Sequence, residues 1–284
     1  MLLSALISAF NGAIAKILSD DMSALEIVFF RNIIGIGLIL YALKLKPPSL
    51  LGGKFHLLFM RGLFGFIAMI LFFYTITVIP LGEAITLNKT SPLFVSILAF
   101  YLLGEHLSKR TILALLVGLG GIILITKPFG MSISYEHLLG ILGGFFAALA
   151  YATIKKIKEI YDSRIIVLSF VVIGTIIPAI LFSISPYLSI SPSLEFLFPE
   201  FILPLTSKLW LLIVFMAIIS TLSQWLLTKA YSASKASIIG VISYTNIPFA
   251  IGFGFLLGDK FPDFWTFCGI GLIVLGGVLV SKAK

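Results

Sequence analysis

The chain is a series of apolar runs, most of them about 20 residues long, separated by short polar segments. A helix of about 20 apolar residues is long enough to cross the hydrocarbon core of a bilayer. The pattern therefore predicts an all-α integral membrane protein with ten transmembrane helices. The predicted spans lie near residues 2–18, 26–43, 57–78, 83–103, 111–126, 138–157, 165–185, 209–230, 236–257 and 264–281.

Two of these spans contain polar residues beside a proline, deep inside the apolar run. Asn88 and Lys89 precede Pro92 in the fourth span. Asn246 precedes Pro248 in the ninth. Proline removes a helical hydrogen bond and crowds the preceding turn, so we expect both helices to bend at these positions. Polar residues at helix interruptions in corresponding positions of two halves indicate a transport site.

The two halves of the chain are weakly alike. Leu-Leu-Gly-Glu occupies positions 102–105 and Leu-Leu-Gly-Asp occupies positions 256–259, and a glycine-rich span follows each. We therefore divide the chain into two five-helix repeats, at residues 1–130 and 131–284. An odd number of spans in each repeat makes the second inverted relative to the first. The glycines favour close packing between helices.

The charged residues indicate how the chain lies in the membrane. With both termini in the cytoplasm, thirteen Lys and Arg residues fall on the cytoplasmic side, whereas only Lys127, Lys208 and Lys260 fall outside. Because basic loops stay in the cytoplasm, we predict this orientation in the cell membrane. The net charge of +8 is then a topology signal, and no nucleic-acid partner is expected. Residues 1–15 end like a signal peptide but lack a basic start, so we predict an uncleaved first helix.

Composition narrows the classes of function. Hydrophobic residues make up 60% of the chain and charged residues 11%, against about 25% charged residues in soluble domains. Cys268 is the only cysteine, and the histidines lie at the ends of spans. We therefore expect no disulfide framework, no thiolate metal cluster and no cofactor. An enzyme is not predicted either, because neither an intramembrane aspartate dyad nor a Ser/His pairing is present.

Four short motifs resemble those of a known family in their order and spacing. They are EIVFFR at 26–31, PLGEA at 80–84, SPLF at 91–94 and LLGE at 102–105. Over essentially its whole length the chain resembles the ten-helix EamA type of the drug/metabolite transporter (DMT) superfamily. The resemblance implies two inverted five-helix repeats, a central cavity between them and alternating access. It does not imply one substrate, because members transport amino acids, nucleotide-like metabolites, sugars and drugs.

Lys89 is the strongest candidate for a substrate contact. A lysine within a membrane helix costs about 3 kcal/mol on the insertion scale, so it is expected to face a cavity or a partner. Two interpretations are open: Lys89 is a counter-charge for a substrate carboxylate, or it forms a structural ion pair with Glu83 or Glu26. Arg31 is likewise either a clamp for a carboxylate or phosphate group or half of a fixed interhelical pair.

Polar and aromatic residues on other spans are predicted to complete the pocket. Sites for small ligands combine aromatic walls with a few placed polar groups, although each residue taken alone is also consistent with packing. These residues are Asn11, Tyr74, Asn88, Tyr151, Gln224, Trp225, Tyr244 and Asn246. Lys16 and Arg61 lie near the ends of spans, and we expect their charged groups to extend to the membrane surface, with a functional role as the alternative for Lys16.

Three residues are assigned to coupling or gating, namely Glu83, Pro92 and Pro248. Glu83 opens a helix, where the positive end of the dipole stabilises a carboxylate. It is therefore either a helix cap or a proton-coupling group. Glu105 and Asp259 close the repeated motifs at helix exits, and we interpret them as structural or gating residues.

The function predicted from these features is secondary transport by alternating access. The protein is expected to be an exporter or permease for a small anionic or zwitterionic metabolite such as an amino acid. No Walker-type phosphate-binding loop is present, so ATP is not expected to drive transport. The alternative is a non-transporting membrane scaffold or receptor. The expected partners are the substrate and the lipid bilayer, and both a monomer and a homodimer remain open.

Overall fold

The computed structural model of the chain describes residues 1–48, 52–103, 109–126, 134–188, 192–233 and 243–282. The described residues are helical, with no strand among them. The α-helices are α1 (Leu2–Leu18), α2 (Ala24–Leu45), α3 (Phe55–Val78), α4 (Leu81–Asn88), α5 (Ser91–Leu103), α6 (Lys109–Thr126), α7 (Tyr135–Ile157), α8 (Ser163–Ile184), α9 (Ser207–Ala233), α10 (Asn246–Leu256) and α11 (Phe264–Ser281). Two 3-10 segments, Ser185–Tyr187 and Pro192–Leu197, follow α8.

The helices match the predicted apolar runs. Five of them, α2, α3, α7, α8 and α9, are long and apolar enough to cross a membrane. Shorter apolar helices occupy Leu2–Leu18, Ile112–Ile125, Asn246–Leu256 and Phe264–Leu279. The all-helical architecture is thereby confirmed for the described residues. Glu105 and the beginning of the ninth predicted span lie outside them.

Two helix starts follow from side chains that bond to free backbone amides. The Glu26 amide donates to Ser23 Oγ at 3.2 Å, and the Ser23 amide donates to Glu26 Oε2 at 2.8 Å, which forms a capping box at the start of α2. Asp162 Oδ1 accepts from the Arg164 amide at 2.8 Å and caps α8. Both caps fix where a long apolar helix enters the bundle.

The fourth predicted span is interrupted. Helix α4 ends at Asn88, a turn occupies Lys89 and Thr90, and α5 begins at Ser91. Pro92 has no amide hydrogen and lies in the first turn of α5, where a helix does not need one. The Thr90 hydroxyl donates to the Leu87 carbonyl at 2.7 Å and satisfies one acceptor at the end of α4. The expected bend is therefore a break, and it lies just before the proline.

The ninth span shows a related arrangement in the part that the structure describes. A turn at Tyr244 and Thr245 precedes α10, which begins at Asn246 and contains Pro248 in its first turn. In both spans the helix begins again just before the proline. The polar residues that preceded the two prolines in sequence therefore lie at helix ends.

Helices of the first half pack mainly on helices of the second half. Helix α3 packs on α7 and α8, and α9 packs on α1 and α2. Further contacts between the halves join α1 with α10, α7 with α4 and α5, α2 with α8, α4 with α10, and α6 with α11. If the helices of the two halves correspond in the order that the sequence predicts, each of these contacts has a counterpart in the other half or is its own counterpart.

Glycines allow the backbones of α6 and α11 to touch, as the sequence predicted. A Cβ atom at Gly121 would lie 2.6 Å from the Gly269 carbonyl oxygen, and one at Gly269 would lie 2.7 Å from the Gly121 carbonyl oxygen. Farther along, a Cβ atom at Gly276 would lie 2.8 Å from the Ala114 carbonyl oxygen. Any larger residue at these positions would separate the two helices.

Candidate functional site

A cavity of about 100 Å³ lies where the break between α4 and α5 meets helices of both halves. Asn88 ends α4 and Lys89 lies in the turn that follows, and both residues line this space. Its lining residues are Ser8, Asn11, Arg31, Arg61, Gly65, Ala68, Met69, Phe72, Phe73, Ile85, Asn88, Lys89, Ala147, Ala150, Tyr151, Phe170, Ser220, Ser223, Gln224, Leu227 and Asn246.

Arg31 reaches the cavity from the second turn of α2 and is only 4% exposed. Its guanidinium carbon lies 5.5 Å from the centroid of the Phe73 ring and 5.7 Å from that of Phe170. Aromatic faces attract a cation electrostatically. Its Nε atom is buried without a hydrogen-bond partner. No described carboxylate pairs with Arg31, so the interhelical ion pair considered for it is absent from this part of the chain. Its stabilising contacts are with the two aromatic rings.

Arg61 also lines the cavity, and its predicted extension to the membrane surface is wrong. The residue is 2% exposed, and its guanidinium carbon lies 5.1 Å from the centroid of Phe170. Gly65, one turn along α3, provides the space: a Cβ atom there would contact the guanidinium group and lie 2.7 Å from the Phe170 ring. The side chain therefore turns inward along its own helix. Its Nε atom has no hydrogen-bond partner.

Lys89 follows the last residue of α4 and is half-buried. Neither carboxylate considered as its partner forms an ion pair with it. Glu83 Oε2 lies 3.5 Å from His137 Nε2. Glu26 accepts from Ser23 in the capping box and from the Ile202 amide at 2.6 Å. In the described part of the chain Lys89 thus makes no ion pair with either residue.

Amide and hydroxyl groups complete the lining. Asn11 Oδ1 is buried and lacks a hydrogen-bond partner. Asn246 Nδ2 donates to the Ala5 carbonyl at 2.6 Å and so joins α10 to α1. Tyr151 stacks on Tyr231 with ring centroids 4.7 Å apart. Gln224 and Asn88 also face this space.

Three predicted site residues lie elsewhere. Tyr74 stacks on Phe196 with centroids 4.2 Å apart, Trp225 lies under Lys229 Nζ at 4.1 Å, and Tyr244 is buried against Gly277. None of them lines the cavity. Aromatic residues are common on all faces of membrane helices, so their presence in a span did not indicate which face they occupy.

Sequence reasoning missed several residues that the cavity contains. The most important is Arg61, whose position near a helix end favoured the opposite interpretation. Phe170 was missed because one phenylalanine among 26 in the chain carries no distinguishing signal. Ser8, Ser220 and Ser223 were also missed. The usable signal was the spacing of Arg61 and Gly65, four residues apart on α3, where the glycine leaves room for the side chain.

Lys16 is a cation with a quite different environment. Its ammonium group pairs with Asp259 Oδ1, while the Leu81 amide at the start of α4 donates to Asp259 Oδ2 at 2.9 Å. This set of three groups joins α1 and α4 to the segment after α10, and we call it the outer tie because the sequence predicts these helix ends to lie outside the cell. Gly258, with a φ of 90°, turns the chain so that Asp259 faces both partners. The predicted surface extension of Lys16 is replaced by an ion pair.

The described lining therefore combines three cations with neutral polar groups and aromatic rings, and it includes no carboxylate. An anion entering this space would meet guanidinium donors arranged to bind planar acids. Within the described residues no cluster of three His, Cys, Asp or Glu side chains is present that could hold a metal ion. A lining with this charge favours an anion over a cation.

Comparisons with known proteins agree with this architecture. The chain matches the model of the EamA-like transporter family at residues 1–127 and again at residues 134–282. It is 32% identical over 289 residues to an uncharacterized transporter of Helicobacter pylori (strain ATCC 700392 / 26695), covering 99% of this chain and 93% of the relative. It is 31% identical over 273 residues to the pseudopaline exporter CntI of Pseudomonas aeruginosa (strain UCBPP-PA14), covering 96% and 91%.

A solved crystal structure is similar in fold. It aligns with a TM-score of 0.66 over 98% of this chain and 94% of the other chain, at 18% sequence identity. At that identity the likeness concerns the path of the helices alone.

Proposed function

The chain belongs to the EamA-like transporter family, and on that basis we propose that it is a secondary transporter that exports a small anionic or zwitterionic metabolite. It is a multi-pass membrane protein of the DMT superfamily, and its similar relatives are transporters. One observation supports the choice of substrate charge above all others. Arg31, Arg61 and Lys89 line one cavity at a helix break, and no described carboxylate lines it with them.

The proposed mechanism is alternating access between two inverted five-helix repeats. The reciprocal packing supports it: contacts between α3 and α7 have their counterpart between α9 and α1, as a two-fold relation between halves requires. The helix beginnings at Ser91 and Asn246, each followed within its first turn by a proline, are a second matched pair. Rocking of one repeat against the other would then expose the cavity to each side in turn.

We assign the outer tie to the gate on the non-cytoplasmic side. Lys16 and Leu81 belong to the first half and Asp259 to the second, so the tie holds the halves together at the predicted outer ends of their helices. The contact between Glu83 and His137 also joins the two halves. Opening toward the outside would require these contacts to break. Glu83 remains the carboxylate that we propose for proton coupling.

Export and orientation are also proposals. The relative named as an exporter supports outward transport, and the distribution of basic residues supports cytoplasmic termini. Single cysteines at Glu159 and Glu195, introduced after replacement of Cys268 by alanine, test the orientation in intact cells. A membrane-impermeant maleimide should label position 195 and leave position 159 unlabelled. Labelling of position 159 from outside would contradict the proposed topology.

Proteoliposomes test the transport function directly. Vesicles loaded with unlabelled solute should accumulate the same radiolabelled solute by exchange, tested with alanine, glutamate, succinate and citrate in turn. Vesicles containing the Lys89→Gln variant provide the control for flux through the proposed site. Specific binding of a solute by purified protein without exchange of any of them would favour the scaffold or receptor alternative.

A further inference from the structure

Three positive charges in one small cavity need more compensation than the described protein provides. Arg31 and Arg61 are almost completely buried, and Lys89 faces the same space. The carboxylates closest to them in sequence are occupied elsewhere, since Glu26 caps α2 and Glu83 contacts His137. A buried cation without a counter-charge loses hydration energy that must be recovered in another way.

The aromatic faces recover only part of that energy. Both guanidinium groups lie against Phe170, with their central carbons 5.7 Å and 5.1 Å from its centroid. A ring face attracts a cation, but it accepts no strong hydrogen bond from the N–H groups at the edge of the guanidinium plane. The buried Nε atom of each arginine has no hydrogen-bond partner. The two arginines thus retain N–H donors for another acceptor.

Resting on the proposed function, we propose that the substrate carries a net negative charge and at least two anionic groups, carboxylate or phosphate. One anionic group lies between Arg31 and Arg61, which share Phe170, and a second lies at Lys89 beside the helix break. Two parallel N–H donors of each guanidinium group match the oxygens of a carboxylate or phosphate. A point charge such as the lysine ammonium needs no particular orientation of the second group.

The same charges argue against a neutral amino acid. Its ammonium group would enter a space that already holds three cations, and no described lining residue offers it a carboxylate. The amide oxygen of Asn11 is an acceptor without a partner, but it is uncharged. A second carboxylate on the same molecule, as in glutamate, restores the balance. Solutes with two or more anionic groups are therefore expected to bind more tightly than solutes with one.

A melting-temperature series on purified protein tests this ranking. The solutes are alanine, acetate, succinate, citrate and inorganic phosphate, each titrated at constant pH and constant ionic strength. A ligand that binds only the native state stabilises it by RT ln(1 + [L]/Kd), so the melting temperature rises once the ligand concentration exceeds Kd and continues to rise after the site is saturated. We expect succinate or citrate to produce a given rise in melting temperature at concentrations at least about tenfold below those of acetate and alanine. The phosphate arm shows whether the site prefers phosphate over carboxylate oxygens.

Variants that each lack one cavity charge show which residues bind the anion. Arg31→Gln, Arg61→Gln and Lys89→Gln should each raise the succinate concentration needed for a given rise in melting temperature about tenfold or more, measured from the melting temperature of the same variant without ligand. The matched control is Lys229→Gln, since Lys229 is an exposed cation against Trp225 that does not line the cavity. Without ligand, Lys89→Gln should melt at or above the wild-type temperature, because a charge without a partner is removed. A merely structural role for Lys89 would lower it.

The outcomes distinguish the inference from the proposed function. Equal stabilisation by alanine and succinate, no stabilisation by any of these anions, or unchanged succinate binding in all three variants would each overturn the inference. If the vesicles exchange alanine but neither bind nor exchange succinate or citrate, the inference fails and the transport function stands. If succinate binds as expected and no solute is exchanged, the anion site stands and transport is refuted.

Discussion

Lys16 on α1 and Lys89 in the turn between α4 and α5 lie in the same half of the chain, and their surroundings differ completely. Lys16 pairs with Asp259, whose second oxygen accepts from the Leu81 amide. Lys89 has no ion pair among the described residues and faces a cavity with Arg31 and Arg61. The comparison shows that burial of a cation does not by itself indicate a binding site. The partner decides the role: Lys16 holds helices together, and Lys89 remains available to a ligand.

The largest expected effect comes from removing the carboxylate of the outer tie. Asp259→Ala leaves Lys16 without its counter-charge and the Leu81 amide without its acceptor. Breaking a buried pair costs about 3–5 kcal/mol, and the partial exposure of both side chains reduces this to about 2–3 kcal/mol. Unfolding of the purified variant by denaturant, followed by tryptophan fluorescence, measures the loss.

A paired variant makes this test specific. Lys16→Met combined with Asp259→Leu removes both charges and should recover most of the lost stability. Lys89→Met is the comparison from the cavity and should cost little, because no described partner is left unpaired. If Asp259→Ala were as stable as wild type, the outer tie would not be a structural pair.

Converting the cavity into a paired region is the next largest change. Gln224→Glu places a carboxylate in the lining without changing the size of the side chain. The new charge competes with an external anion for the cavity cations. The Kd for succinate should therefore rise at least about tenfold, which corresponds to about 1.4 kcal/mol of binding free energy. Gln224→Leu is the control that removes the amide and keeps the charge balance. A Gln224→Glu protein that binds succinate as wild type does would show that the cations act on another part of the cavity.

The fold was largely predictable because it depends on patterns that extend over many residues. Apolar runs of membrane length located the helices, and the glycines of the glycine-rich spans predicted close helix packing, though not that α6 and α11 would be the pair in contact. The break before Pro92 was less accurate. Proline predicted a bend, but the position of the interruption depends on which carbonyls are satisfied locally, as the hydroxyl of Thr90 shows.

The lining of the cavity was predictable mainly where a residue was costly to bury. Lys89 and Arg31 were identified because intramembrane cations require an explanation. The aromatic candidates Tyr74, Trp225 and Tyr244 were placed in the pocket without such a cost, and the structure places them outside it. Arg61 was misassigned because the direction of its side chain is set by Gly65 and by Phe170 on another helix. Contacts between distant helices are not visible in one sequence.

A smaller effect is expected from removing the ring that the two arginines share. Phe170→Leu keeps an apolar side chain but removes the aromatic face, and each cation–π contact contributes about 0.5–2 kcal/mol. We expect a loss of about 1–2 kcal/mol in the ligand-free protein, measured by denaturant unfolding. Phe72→Leu is the matched control, since Phe72 lines the same cavity and no described cation lies over its ring. Equal losses in the two variants would mean that the ring contributes by packing alone.

The smallest effect concerns a carboxylate that is paired outside the membrane-spanning segments. The Arg164 side chain donates to both oxygens of Asp162, at 3.0 Å and 2.8 Å, and also to the Ala42 carbonyl at 2.9 Å. The hydrogen bond from the Arg164 side chain lowers the pKa of Asp162 below its usual 3.8. A depressed pKa contributes stability that is present above the usual value and is lost as the pH falls through the lowered one.

Asp162→Asn should therefore cost less than about 1 kcal/mol at pH 7, as is usual for partly exposed pairs. The difference between the two proteins in free energy of unfolding should shrink below pH 3.8, because protonation progressively removes the charge of the wild-type carboxylate there. Unfolding of both proteins at a series of pH values measures this, with Glu159→Gln as the control at an exposed neighbour. A cost that stays constant down to the most acid pH would mean that the hydrogen bonds of Asp162, and not its charge, hold Arg164 against the end of α2. That result would leave the outer tie as the pair in which charge itself stabilises the fold.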